Sequence, residues 1–381
     1  MDEVWFLHPI LLPSDHAHGL HVARTCAALA AAGARVRLLA KRNPLRPARD
    51  AAEALAALGV AAHPGLRIDW LPTRHKGMAG LVARGRVRRA PGDPVFYATH
   101  LRLAAAALRR RAHPPRGGGR GLVIAELHGP VPAPGSGWRE RRTAARVLRD
   151  ADGIVCTTAP LAERVRAESA AISIIPLAVE LAAFPPARGE GPPRLIYFGH
   201  LYPLKGVDLV VRALAKLPGL GALVIGGRDG ADEDLARLRG LAAELGVAAR
   251  VEFAGLVPQR AIAARLRASD IAVLPTRSLG GQELAGSLKL FEYGACGLPI
   301  VATDMPALRA MTRNGDAALL FADADPAHLA SRVEELLAHP AQRAALAQRG
   351  RELALAHSWE ARARAILAFA AELRARRGAS R

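Results

Sequence analysis

Between Arg194 and Leu214 the chain reads "RLIYFGHLYPLKGVDLVVRAL". An apolar run from Leu195 to Phe198 stops at Gly199, and a turn holding Pro203, Lys205 and Gly206 follows. Val207 to Leu214 then place apolar residues at helical spacing, so the stretch reads as strand, loop and helix. Lys205 stands out within it: the chain has only five lysines among its 53 basic residues, the others being arginine.

The same alternation runs outward in both directions. Strand candidates before it are "VWFLH" (4–8), "RVRLLA" (35–40), "RIDWLP" (67–72), "PVFYAT" (94–99), "LVIAELH" (122–128), "GIVCTT" (153–158) and "ISIIPL" (172–177). After it come "ALVIGG" (222–227), "VEFAG" (251–255), "IAVLPT" (271–276), "PIVAT" (299–303) and "ALLFA" (318–322). A proline- and glycine-dense break, "FPPARGEGPP" (184–193), separates the two series. Strands alternating with helices imply parallel sheets covered on both faces. The expected fold is therefore α/β, with two Rossmann-like domains, 1–186 and 187–356, facing across a cleft. The last segment, 357–381, is expected as a helix returning to the first domain, with Trp359, Ile366, Leu367 and Phe369 on its buried face. Ligands of such sheets sit beyond the carboxyl ends of the strands.

Composition narrows the partners. With 51% hydrophobic and 23% charged residues the chain is globular, and no run approaches the roughly 20 apolar residues of a membrane span. The acidic start "MDEVWFLHPI" does not read as a secretory signal. Cys26, Cys156 and Cys296 are dispersed in apolar segments, as reduced core thiols in a cytoplasmic protein would be. The net charge of +19 is concentrated: residues 74–149 carry 17 basic and 3 acidic side chains. That excess suits an anionic acceptor or an anionic membrane surface at the inner face of the cell membrane, or is an arginine-rich solvated face. No aromatic interleaving accompanies it, so nucleic acid is not expected.

The second informative stretch is "SLKLFEYGACGLPIVATDMP", Ser287 to Pro306. A helix starting there would offer unpaired amides and a positive dipole end to a diphosphate. Lys289 in the first turn opposes the dipole, which an anion would offset. Glu292 is placed to accept from vicinal hydroxyls, unless the two residues simply pair at i,i+3. Lys205, a compact ammonium on the neighbouring loop, is expected at the same place. His16, His18 and His21 lack clean metal-ligand spacing, and no metal is expected. Glu126 lies two residues from His128 on one strand face, so the two are expected to couple electrostatically.

Taken together these stretches resemble the family 4 glycosyltransferases, retaining enzymes of the GT-B fold. The likeness runs through "LIYFGHLYPLKGVDLVVRAL", "ALVIGGRDG", "ASDIAVLPTRS", "LKLFEYGACGLPIVATDMP" and "HSWE", and through "HGLHVARTCAALAAAGARVRLLA" and "LVIAELHG" in the first half. The resemblance implies that Lys205 neutralises the donor diphosphate, that Glu292 holds the ribose, and that Ser287, Leu288 and Lys289 serve the phosphates. It further implies that Gly19 and Gly199 allow close backbone approach and that His128 contacts the sugar. His200 stands where the family often has arginine. Leu284 stands where the family's first glutamate belongs, with Glu283 one residue away. The implied reaction moves a sugar from a UDP- or GDP-type donor to a hydroxyl acceptor, lipid-linked or anionic, with retention and without metal or other cofactor. A sugar-nucleotide epimerase of the same fold, or an anion-binding scaffold without chemistry, are the alternatives.

Overall fold

The computed structural model describes residues 2–14, 17–72, 78–169, 171–184, 193–227, 232–257 and 259–379. The chain forms two compact units, Met1–Pro176 with Trp359–Arg381, and Leu177–Ser358.

The first unit is built on strands β1 (Glu3–Leu12), β2 (Arg35–Arg42), β3 (Leu66–Leu71), β4 (Val95–Ala98), β5 (Leu122–Leu127), β6 (Gly153–Cys156) and β7 (Ile172–Ile174). They form one parallel sheet in the order β3-β2-β1-β4-β5-β6-β7. β4, β5 and β6 are buried along their whole length, which is why their sequences are continuous apolar runs without alternation. One core packs Phe6, Leu38 and Ile124 of the sheet against Val22 and Leu29 of the helix Ala17–Ala31. The C-terminal helix Trp359–Ala379 completes it with Ala363, Ile366, Phe369 and Leu373, so the returning helix belongs to this unit. Its approach depends on Gly153, where a Cβ would lie 2.7 Å from Phe369 Cζ and 2.6 Å from Leu373 Cδ1.

The second unit carries β8 (Arg194–Phe198), β9 (Gly221–Ile225), β10 (Val251–Gly255), β11 (Ile271–Leu274), β12 (Ile300–Thr303) and β13 (Leu319–Phe321). These also form one parallel sheet, ordered β10-β9-β8-β11-β12-β13. Alternate residues feed two cores, as a strand's two-residue period requires. Ile196 and Phe198 join Leu274, Leu290 and Phe291 on one face, while Leu195 and Tyr197 join Val210, Leu214 and Val273 on the other.

The expected boundary at 186/187 falls ten residues beyond the break between units, because Leu177, Val179 and Phe184 pack into the second unit's core. The later boundary, expected at 356/357, lies at Ser358/Trp359. Each sheet reverses its order at the centre, between β1 and β4 and between β8 and β11. Successive crossovers there leave to opposite faces and open a crevice at the strands' carboxyl ends. Among the described residues no helix is long and apolar enough to cross a membrane.

Candidate functional site

In the second unit the crevice between β8 and β11 gathers the residues singled out around Lys205 and Lys289. The loop leaving β8 turns at Gly199 (φ 134°) and closes in a 3-10 turn, Pro203–Lys205. Gly206 follows in the left-handed region at φ 66°, and a Cβ there would lie 1.8 Å from the carbonyl oxygen of Pro275, just after β11. Only glycine lets the loop lie this close to the neighbouring strand end. Arg277 secures the same loop: its backbone N–H donates to Leu204 O at 3.0 Å and its guanidinium to Asp208 Oδ2 at 2.6 Å. Replacing Gly206 with alanine adds backbone strain of about 1–2 kcal/mol and a collision with rigid backbone. We expect Gly206→Ala to lower the melting temperature by a few degrees; an unchanged melting temperature would mean that the loop can move off the end of β11 without cost.

Lys205 Nζ donates to the neutral amide oxygen of Gln282 at 2.7 Å. Burial first, then the charge of Lys289, pull its ammonium down to about 8. Lys289 rises from the first turn of the helix Leu288–Ala295 and crosses the end of β8. A Cβ on Gly199 would lie 2.4 Å from its Cε and 2.8 Å from its Nζ. Burial also lowers the Lys289 ammonium, with Glu292 opposing. The helix is pinned to β8 by Tyr293, whose hydroxyl oxygen accepts from Phe198 N at 3.2 Å. Ser287 occupies the N-cap, but its side chain makes no capping hydrogen bond, so Ser287, Leu288 and Lys289 begin a helix whose first amides are not met by a cap. Thus Lys205, Lys289, Gly199 and the helix start come together at one strand end, with Glu292 one turn along.

Glu283, in the 3-10 turn Gln282–Leu284, has a buried Oε2 with no hydrogen-bond partner. His200 is exposed, stacks on Tyr202 (centroids 5.4 Å apart), and lines a small depression with Leu201, Gly227, Asp232 and Asp234. Its imidazole therefore has acidic neighbours.

In the first unit the corresponding crevice, between β1 and β4, holds a histidine cluster. His8 of β1 shares a hydrogen bond of 2.8 Å between Nδ1 and Thr99 Oγ1, and His18 Nε2 lies 3.3 Å from the same His8 nitrogen. The His18 and His21 rings stand 5.5 Å and 5.1 Å from that of His128, and His100 stands 5.9 Å from His8. Burial first, then neighbouring histidines, push His8 to about 3 and His18 to about 4; burial pushes His21 to about 3. Beneath them the fully buried Glu126 carboxylate accepts from Tyr97 Oη at 2.5 Å and from the Arg362 guanidinium of the C-terminal helix. His128 Nε2 lies 3.0 Å from Glu126 Oε1, so the expected pairing of the two is present. The ligand atoms of His21, Glu126 and His128 lie within 4.8 Å of one another, but the carboxylate is already engaged by Arg362, a poor setting for a dication. His16 lies outside the described residues.

Gly19 falls in the first turns of the helix Ala17–Ala31, and the space a Cβ would fill is held by the Ser14 side chain at 2.3 Å. Its glycine is thus accounted for within the protein itself. Sequence reading passed over His8, His100, Tyr97 and Arg362. His8 and His100 carried a signal, a histidine closing or just following an apolar run; Arg362 is brought in from 236 residues away and carried none.

Two parallel sheets that each reverse order centrally define the GT-B architecture of glycosyltransferases, and the comparisons specify the family. Residues 180–353 match the family described as glycosyl transferases group 1. The D-inositol 3-phosphate glycosyltransferase of Acidothermus cellulolyticus is 30% identical over 94% of this chain and 87% of its own length. That of Actinosynnema mirum is 29% identical over 92% and 90%. Among solved structures, sucrose-phosphate synthase of Thermosynechococcus elongatus shares the fold at a TM-score of 0.79 and 20% identity, covering 98% of this chain and all of that one. Anabaena HepE in complex with UDP and glucose follows at 0.74 and 15%, covering 98% and 100%. The chain belongs to the group 1 glycosyltransferases and is an enzyme of that class.

Proposed function

We propose that the enzyme transfers a hexosyl group from a UDP-sugar to a hydroxyl of an anionic acceptor, with retention and without a metal ion. The observation that carries this reading is the meeting of two desolvated ammonium groups, Lys205 and Lys289, at one helix start. Two like charges in a dry place are unfavourable unless an anion joins them, and a diphosphate supplies one. HepE's complexes with UDP and UDP-glucose support UDP over GDP. The relatives' D-inositol 3-phosphate activity supports a phosphorylated polyol as the acceptor.

The chemistry is then positioning and charge stabilisation. As the bond from the anomeric carbon to the diphosphate oxygen breaks, its electron pair leaves with the diphosphate. Lys205, Lys289 and the amides at Leu288 stabilise that charge. The acceptor oxygen bonds to the anomeric carbon on the vacated face, and its proton passes to the departing phosphate. Glu292 accepts from the ribose hydroxyls, the unpartnered oxygen of Glu283 serves the sugar hydroxyls in place of an acid at Leu284, and His128 addresses the sugar. A panel of UDP-glucose, UDP-N-acetylglucosamine and GDP-mannose, assayed for nucleotide release with and without D-inositol 3-phosphate, tests the reading. UDP release that requires the acceptor is expected; equal release without it would point to the epimerase reading.

A second reading of the acceptor, at an anionic bilayer, rests on the basic stretch 74–149. There Leu81 and Trp138 are 63% and 66% exposed, with the Arg139 guanidinium 5.4 Å from the Trp138 ring. Not all of this charge is available to a partner. Arg110 is buried, its guanidinium donating to the carbonyls of Ala90, Gly92 and Gly119. Flotation with phosphatidylglycerol vesicles at low salt tests it, and protein remaining in the dense fraction would remove it.

A further inference from the structure

We propose that Glu126 is the positioning residue for His128, holding its imidazole as the tautomer protonated on Nε2 and so leaving Nδ1 as an acceptor. The inference deepens the proposed function, since it rests on His128 addressing the sugar. Glu126 belongs to β5 and its side chain is fully buried, so a bare carboxylate there would be costly unless it were paired. Its two oxygens are divided between partners. Oε2 accepts from Tyr97 Oη at 2.5 Å, and Oε1 accepts from Arg362 and faces His128 Nε2 at 3.0 Å.

The His128 Nε2–H does not point along a hydrogen bond to Oε1, but at 3.0 Å an acceptor-only carboxylate attracts a proton on that nitrogen and repels a bare lone pair, which favours the Nε2–H tautomer. Arg362 in turn fixes the carboxylate from outside the strand. Its Nη1 donates to Ile175 O at 2.8 Å and to Pro176 O, where the chain leaves the first unit. A buried charge, its counter-charge and a phenol are thus assembled from β4, β5 and the C-terminal helix around one imidazole. The same oxygen lies 3.6 Å from His21 Nε2, but His21 is buried whereas His128 is the partly exposed ring of the pair. The orientation imposed by Glu126 therefore reaches solvent, and a ligand, through His128.

The test uses the full chain labelled with 15N-histidine, whose ring tautomers are read by long-range proton–nitrogen correlation, with His128→Asn to identify the His128 signals. Wild type is expected to show the Nε2–H form alone. Glu126→Gln, which can turn its amide nitrogen to the ring, is expected to admit the Nδ1–H form, whereas Tyr97→Phe, which keeps the carboxylate, is expected to retain the Nε2–H form. With UDP-glucose and D-inositol 3-phosphate, Glu126→Gln is expected to lower kcat by about tenfold to a hundredfold with the donor KM within about twofold of wild type. In the His128→Asn background it should cause no further loss. A His128 ring that keeps one tautomer in Glu126→Gln, a ring that changes tautomer in Tyr97→Phe, or losses that add independently would overturn the assignment. If His128→Asn alone leaves kcat unchanged while the tautomer still shifts, the role given to His128 falls and the positioning by Glu126 stands.

Discussion

Lys205→Ala is expected to lower kcat/KM for the UDP-sugar by about a hundredfold to a thousandfold, the loss typical of removing one preorganised donor from a developing charge. The same substitution is expected to leave the ligand-free protein as stable as before, or slightly more so. Its ammonium is desolvated and repelled by Lys289, and among the described residues its hydrogen bond goes to the neutral amide of Gln282. A residue that costs the empty fold and serves the bound state is the signature of a binding site. Thermal melts without ligand, set beside kinetics, separate the two contributions: a large drop in melting temperature would mean that Lys205 is structural.

The proton carries the same information. Free Lys205 titrates near 8, and a diphosphate beside it favours the charged form and raises that value. Below pH 8 the site is already charged and binding involves little proton exchange. Above it binding must recruit a proton, so affinity falls as pH rises through 8 and beyond.

The second large effect is acid lability of the first unit. His8 and His21 sit at about 3 and His18 at about 4 in the folded protein, against 6.5 for a free histidine. Between those values the unfolded chain binds more protons than the folded one, so stability falls as pH drops below 6.5 and is unaffected above it. At pH 5, about 1.5 units below the free value, keeping each histidine neutral costs about 2 kcal/mol. Mutual coupling and partial exposure of His8 and His18 reduce the sum, yet even half of it, about 3 kcal/mol, is a sizeable fraction of the 5–15 kcal/mol of a whole domain. Glu126, whose carboxyl lies well below the usual range, adds to the same trend only as pH falls through the free carboxylate range. Melting followed from pH 7.5 to 4.5 is expected to show a steep decline beginning near 6.5, moderated in His21→Phe. A flat profile would mean that these rings are not held neutral.

Why some of this was legible in sequence follows from where each signal resides. The strands announced themselves because parallel strands buried on both faces must be continuously apolar, and all thirteen proposed runs became strands in the expected order. β1 runs further than "VWFLH", through a register shift between Phe6 and Ile10 that apolar spacing does not reveal. Lys205 was legible because lysine is rare here, and the Glu126–His128 pairing because residues two apart share a strand face. The domain edge was misplaced because proline and glycine mark where a chain turns, not which core claims Leu177 and Val179. Tyr97 reaches Glu126 only through the register that sets it beside Ile124. Arg362 reaches it only because the last helix returns, and long-range packing of that kind leaves no local periodicity to read.

The central claim is that Lys205 and Lys289 grip a diphosphate at the start of the helix Leu288–Ala295. Calorimetric titration of UDP at pH 8.5, in buffers of different ionisation enthalpy, tests it directly by counting protons taken up on binding. The account predicts net uptake by the wild type and its loss, together with most of the affinity, in Lys205→Ala. Equal affinity in the two proteins, or binding by the wild type with no proton uptake, would contradict it.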